Sequence, residues 1–366
     1  RMLSAIRGGQ IDRAPLDLPG LRFETRGQID RLADAKARVL AHRVYPHVCF
    51  FRDVPSYVNR FLVTPPQRIT TTSEPLPDGG TRETGTIDTP AGPLTYVRQF
   101  DPAKQTWWQV KDPVASMADI EKIRSVPFEL PTGLAAPDGS HASDDFVRRG
   151  ILMTHVSSPV VCVAAMTSYE WFLELAVTEP ELIVELTEIC RQRIVAILEV
   201  LLSKPGIDYV WMGGSEWVTP PMASPAIYDA FVQEQERSII DCIHRHGQIV
   251  THVHCHGHVR HALARTIERG ADYTEPVEPP PDGDITMAEA KALAAGRIAL
   301  GGNVECRVLC NESVEAAEAA TRAAFEGGPY RFVLRPSESQ SPTMTESEFA
   351  NYMRMVDVWE ELSPMR

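Results

Sequence analysis

The chain of 366 residues has little positive charge. Lys and Arg number 36 against 49 Asp and Glu, a net charge of −13. Nucleic-acid binders present a basic face, so that class is excluded. No apolar run approaches the roughly 18 residues of a membrane span, and no membrane partner is expected. Cysteine is sparse and odd in number: seven, at 49, 162, 190, 242, 255, 306 and 310. They form no CxxC pair and no disulfide framework is expected, which suits a reducing cytoplasm. There is no internal repeat, no low-complexity tract, no HExxH and no zinc-finger spacing. What remains is ordinary for a soluble globular protein: 43% apolar and 23% charged residues.

The length allows two average domains, but a (β/α)8 barrel takes as many residues in one. Residues 1–45 read as a helical extension. Residues 65–112 are rich in Thr, Val and aromatics and are cut by "PDGG" and "TPAG" turns. That is the pattern of antiparallel hairpins, here an insert beside the main fold. From about 150 onward short apolar runs alternate with helical stretches. Strands are expected at 150–158, 208–215, 248–256, 271–276, 297–305 and 330–337. Helices are expected at 179–203, 224–246, 258–269, 286–295, 312–326 and 344–362. Such alternation means a parallel sheet. With two upstream strands, one of them at 43–51, the units make eight. The expected fold is α/β, a (β/α)8 barrel spanning 1–366 as a single domain.

In such barrels chemistry sits at the C-terminal strand ends. The sharpest feature there is "THVHCHGHVRH" at 251–261. On a strand, alternate residues share a face, so His252, His254 and His256 point the same way. Imidazoles are common ligands of transition metals. His254 and His256 are the candidate metal ligands, with His252 one layer deeper and read as packing. Cys255 faces the other way, towards the helices. A third ligand comes from a neighbouring strand end: Glu278 first, Glu338 next, with Glu305 and Cys306 as further choices. A carboxylate completing two histidines leaves room for substrate or water.

The stretches "MGGSEWVTPPMASPAIYDAFV", "IDCIHRHGQIVTHVHCHGHV", "ERGADYTEPVEPPPDGDITMAEAKALAAGRIALGGNVE" and "FVLRPSESQSPTMTESEFANYMRMVD" together resemble the uroporphyrinogen decarboxylase-like superfamily. The N-terminal "RMLSAIRGGQIDRAPLDL" and residues 85–125 are similar to it too. The resemblance implies a (β/α)8 barrel with its pocket at the C-terminal strand ends. Its metal-dependent, corrinoid-linked methyltransferase branch carries His-x-Cys-Gly at one strand end and a later Cys, all on zinc. Here the stretch reads His254-Cys255-His256-Gly257, and the later Cys falls near Glu338. Harder N and O donors replace both thiolates. That departs from a thiol substrate and suits an oxygen substrate. The decarboxylase branch relies on an Arg-rich pocket, and the N-terminal stretch supplies only Arg7 and Arg13.

The resemblance thus implies a methyltransferase or demethylase acting on a methylated, methoxy-type small molecule. Zinc or another divalent transition metal is the implied cofactor. The methyl acceptor is a corrinoid (cobalamin) supplied in trans by a separate protein, or a folate. Glu216 or His155 would protonate the leaving oxygen. Trp217, Asn303 and Arg335 are candidate substrate contacts, and Trp107, Trp108 and Trp211 can line an aromatic pocket. The alternative is a decarboxylase or lyase of a small carboxylate, with Arg335 or Arg307 as counter-charge. A homodimer is the implied assembly.

Overall fold

The computed structural model describes residues 1–103, 105–137 and 149–365. Seven parallel strands carry the fold. They are β1 (Phe50–Val54), β6 (Gly150–Ser157), β7 (Tyr209–Gly213), β8 (Val250–His254), β9 (Tyr273–Glu275), β10 (Ala299–Gly301) and β11 (Phe332–Val333). They pair in chain order, β1-β6-β7-β8-β9-β10-β11. Beyond β11, Leu16 bridges Leu334 in parallel and takes the eighth place.

The sheet curls into a barrel. One buried cluster joins Ile151 and Met153, Tyr209, Val250, Tyr273, Ala299 and Val333, with Phe51 packed against it. Every one of the seven strands contributes to it. Laid flat, seven strands would hold β1 and β11 about 29 Å apart, since neighbours sit about 4.8 Å apart. Met2 and Ile6 of the helix Met2–Ile6 join the same cluster. That helix therefore plugs the N-terminal end of the barrel.

The helices between strands start where the sequence offers caps. Ser168 accepts from the Trp171 amide at the head of the helix Tyr169–Thr178. Thr286 and Glu289 form a capping box at Met287–Ala294. Pro180 opens the long helix Pro180–Leu201, where its missing N–H does no harm.

The insert is a four-stranded antiparallel meander: β2 (Ile69–Pro75), β3 (Thr81–Ile87), β4 (Leu94–Asp101) and β5 (Thr106–Lys111). The expected first strand is displaced. Asp34 caps a helix that runs Ala35–Val44, and β1 begins only at Phe50. Residues 43–51 thus hold a helix end, a turn and two strand residues. Among the described residues, no helix is long and apolar enough to cross a membrane.

Candidate active site at the C-terminal end of the barrel

Register decides what meets at the barrel mouth. His252 lies opposite Trp211 on β7 and Tyr273 on β9, and His254 lies opposite Gly213 and Glu275. Side chains alternate along a strand, so these residues share the interior. They form two layers.

The deeper layer is closed and ionic. The Glu275 carboxylate is 1% exposed. Its Oε2 lies 2.8 Å from Arg335 Nη1, and its Oε1 lies 2.9 Å from His252 Nε2. Asp17 takes a two-pronged pair from Arg22, at 2.7 and 2.6 Å, and lies 3.8 Å from Arg335. Burial alone would raise the Glu275 pKa. The charge of Arg335, with His254 and His252, reverses this and holds it well below the usual carboxylate range. Burial pushes His252 down to about 4, so its ring is neutral. Its Nδ1 meets the Tyr209 hydroxyl at 2.8 Å, while Nε2 has no well-aligned hydrogen bond. Two carboxylates and two guanidiniums balance in this layer.

The upper layer opens outward. His254 Nδ1 meets Glu275 Oε1 at 2.8 Å, and His256 Nδ1 meets Glu278 Oε1 at 2.9 Å. The two rings are nearly perpendicular, with centroids 4.6 Å apart. Each imidazole therefore has a carboxylate behind Nδ1, which fixes the tautomer and leaves the Nε2 lone pair. Among the described residues neither Nε2 has a hydrogen-bond partner. Glu278 has both oxygens engaged, since the Gly257 amide donates to Oε2 at 2.6 Å. Gly257 has φ +94°, a conformation that favours glycine and lets the chain turn out of β8 with this amide inward. Burial disfavours a charged His256, but Glu278, Glu275 and Glu216 outweigh it and raise its pKa.

Other carboxylates ring the mouth. Glu216 Oε2 accepts from the Gly214 amide at 3.0 Å. Gly214 has φ +113°, and a Cβ there would meet Val161 Cγ1 at 2.4 Å. The turn thus requires glycine. Glu305 follows β10 and is held by the Asn303 side-chain amide and by Ser337. Burial first, then the charges of Glu278 and Asp282, push its pKa up to about 7. His155, at the end of β6, is exposed and meets Asp53 Oδ1 at 3.0 Å. Burial of its ring nevertheless lowers its pKa, against the pull of Asp53.

Other expected site residues fall elsewhere. Glu338 is exposed, and its field reaches Cys306 and Tyr352 rather than the histidines. Cys306 Sγ lies 3.6 Å from Cys310 Sγ, one helical turn away. Arg335 is engaged with Glu275 and Asp17 in the deeper layer, closed off from a substrate. Asn303 is buried and holds Glu305. Trp217 does stand at an opening. With Phe61, Tyr96, Trp107, Trp108 and Tyr169 it lines a cleft of about 760 Å³ between the insert and the barrel. Trp217, Tyr169 and Glu216 also line a shallower, apolar recess beside it. This cleft is therefore off the barrel axis and meets the mouth at Trp217.

Among the described residues two three-donor groups are compact enough for one ion, each with its donor atoms within 4.8 Å of one another. One is His252, His254 and Glu275, and the other is Glu199, Cys242 and His246. Reading the sequence alone places Glu275 at a strand end without a role and gives none to Asp17, Arg22 or Tyr209. The available signal was alternation: Tyr209-x-Trp211, His252-x-His254 and Tyr273-x-Glu275 repeat one inward pattern.

The family model described as uroporphyrinogen decarboxylase (URO-D) matches residues 99–362. Among solved structures, a methyltransferase from Methanosarcina mazei superposes with a TM-score of 0.59 at 14% identity. The match covers 98% of this chain and 97% of that one. A B12-independent methionine synthase from Shewanella sp. W3-18-1 matches over 58% of this chain and 61% of its own, at 10% identity and TM-score 0.36. A search of curated proteins finds no match.

Proposed function

Because the chain belongs to the uroporphyrinogen decarboxylase family, we infer that its barrel mouth transfers a methyl group from a methoxylated small molecule with the help of a divalent metal. One observation carries this reading. His254 and His256 stand side by side at the end of β8, each ring backed on Nδ1 by a carboxylate.

Charge favours this pair over the deeper group. Around Glu275 two carboxylates already balance two guanidiniums. A doubly charged ion there would add unbalanced charge to a closed layer. At the mouth, Glu278 and Glu216 favour a cation. The residues fit a metal held by His254 and His256 Nε2, with Glu275 and Glu278 as orienting partners and open positions for substrate or water. Zinc or a similar ion supplies Lewis acidity at a substrate ether oxygen.

The chain's own groups do the rest. Glu305 holds a proton up to about pH 7 and gives it to the oxygen that departs as the methyl–oxygen bond breaks. This moves the acid role from Glu216, which is tied to the Gly214 amide, and from His155 at the exposed rim. The aromatic cleft beside Trp217 takes the body of a flat substrate. The methyl goes to a corrinoid on a separate protein or to a folate. The carboxy-lyase reading has weaker support. Arg335 is engaged with Glu275, and Arg307 with Asp282 and Glu312.

The test is turnover of methoxylated aromatic compounds with a cob(I)alamin or folate acceptor, with and without chelator. Methyl transfer that chelation abolishes is expected; chelator-insensitive loss of CO2 from a carboxylate substrate would replace the reading. Trp217→Ala is expected to raise KM about tenfold with a smaller change in kcat, as loss of an aromatic contact does. An unchanged KM would place the substrate outside this cleft.

A further inference from the structure

The second donor group lies at the other end of the barrel. The helix Pro180–Leu201 leads into β7, and the helix Glu234–Arg245 leads into β8. Glu199 and the Cys242–His246 turn sit at their C-terminal ends, by the N-terminal ends of those strands. The catalytic face is the opposite one.

We propose that Glu199, Cys242 and His246 form a second metal site, selective for zinc-like ions, that staples these two outer helices together. Cys242 and His246 are four residues apart, so one helical turn puts them on one face. Cys242 is fully buried. His246 Nδ1 meets the Cys242 carbonyl at 2.9 Å, which assigns the proton to Nδ1 and the lone pair to Nε2. That Nε2 lies 3.1 Å from Glu199 Oε2, and Cys242 Sγ lies 3.5 Å from Glu199 Oε1.

The two contacts end on different oxygens of Glu199, Oε2 to His246 and Oε1 to Cys242, and the three side chains offer donor atoms within 4.8 Å of one another, a spread that one tetrahedral zinc bridges after a small side-chain rotation. With Zn–S about 2.3 Å and Zn–N and Zn–O about 2.0 Å, neighbouring ligands stand about 3.5 Å (S···O) and about 3.3 Å (N···O) apart. A thiolate, an imidazole and a carboxylate leave the fourth position to water. The mixed soft and borderline donors select zinc or cobalt over magnesium or calcium. The C-terminal end of a helix also favours a cation. Arg245 Nη2 lies 3.0 Å from Glu199 Oε1, but its side chain is 59% exposed and free to swing into solvent. Binding exchanges the Cys242 thiol proton for the metal and releases it to solvent.

The site is separable from the barrel histidines, and the test uses that. The His254→Ala/His256→Ala variant is stripped of metal and titrated with Co2+. About one equivalent should bind and give a thiolate-to-cobalt charge-transfer band with the visible bands of four-coordinate cobalt. Adding Cys242→Ser should abolish the charge-transfer band, and His246→Gln should weaken Zn2+ affinity about 100-fold or more. Circular dichroism checks each fold, and the His246→Gln arm stands alone if the buried Cys242→Ser variant does not fold. No thiolate band in the folded barrel variant would overturn the proposal. So would a band that survives Cys242→Ser, or Zn2+ affinity unmoved by His246→Gln. Failure of the barrel site leaves this titration unchanged, because its two histidines are already gone.

Discussion

Arg335→Leu is expected to destabilise the folded chain by about 3–5 kcal/mol, the usual effect of stranding one buried charge. Arg335 is 7% exposed and is the cation facing Glu275 Oε2 at 2.8 Å, with Asp17 at 3.8 Å. Without it, Glu275 keeps only its two histidine contacts, in a layer that water does not reach. The same loss shifts the pH response. The Glu275 pKa is depressed when folded, so its contribution is present above its usual value and lost as pH falls through the folded value. Removing Arg335 raises the folded pKa, so the variant should lose less stability on acidification than wild type, and the gap between the two should narrow as pH falls and Glu275 is neutralised. Replacing both partners, as in Glu275→Gln/Arg335→Met, should recover much of the stability, since no charge is stranded. Urea denaturation across pH measures both. A loss under about 1 kcal/mol for Arg335→Leu would mean that the layer is wet and the ion pair superficial.

Glu305→Gln is expected to lower kcat by about 10²–10⁴, the contribution of a placed general acid. Its glutamine keeps the shape and the Asn303 neighbour but has no proton to give. In wild type the acid must be protonated, so activity should fall as pH rises through about 7. The variant should be low and flat through that range. A readout without substrate runs in parallel. Glu305 is raised above its usual 4.5 when folded. The folded state then binds more protons than the unfolded state between those values. Wild-type stability should therefore fall as pH rises from about 4.5 to about 7, and Glu305→Gln should lack that slope. Identical slopes would show that Glu305 titrates normally. An unchanged kcat would return the acid role to Glu216 or His155.

Much of the scaffold was legible because its signals are local. Strands β6 to β11 fall inside the expected stretches, and the turn residues of the insert marked its hairpins. The first strand was misplaced because Asp34 caps a helix through residues that also read as β-branched and aromatic. The histidines at 254 and 256 stood out by spacing. The partner of His254 did not, because pairing it with Glu275 depends on the register of β8 against β9. The ionic floor joins residues 17, 22, 275 and 335, which only barrel closure brings together. Glu278 was expected as a ligand because it follows the right strand. In the structure its two oxygens meet His256 Nδ1 and the Gly257 amide.

The central claim is that His254 and His256, rather than the deeper His252 and Glu275, hold a metal. The most direct measurement is metal content by mass spectrometry on protein purified without chelator. Wild type, His254→Ala/His256→Ala and His252→Gln would be compared, each in a Cys242→Ser background to remove the outer site. The account predicts about one equivalent of a transition metal in wild type and in His252→Gln, and none in the double variant. Metal lost from His252→Gln as well would place the ion in the deeper group. No metal in any folded form would contradict the account, leaving the two histidines as proton-transfer or substrate-binding groups.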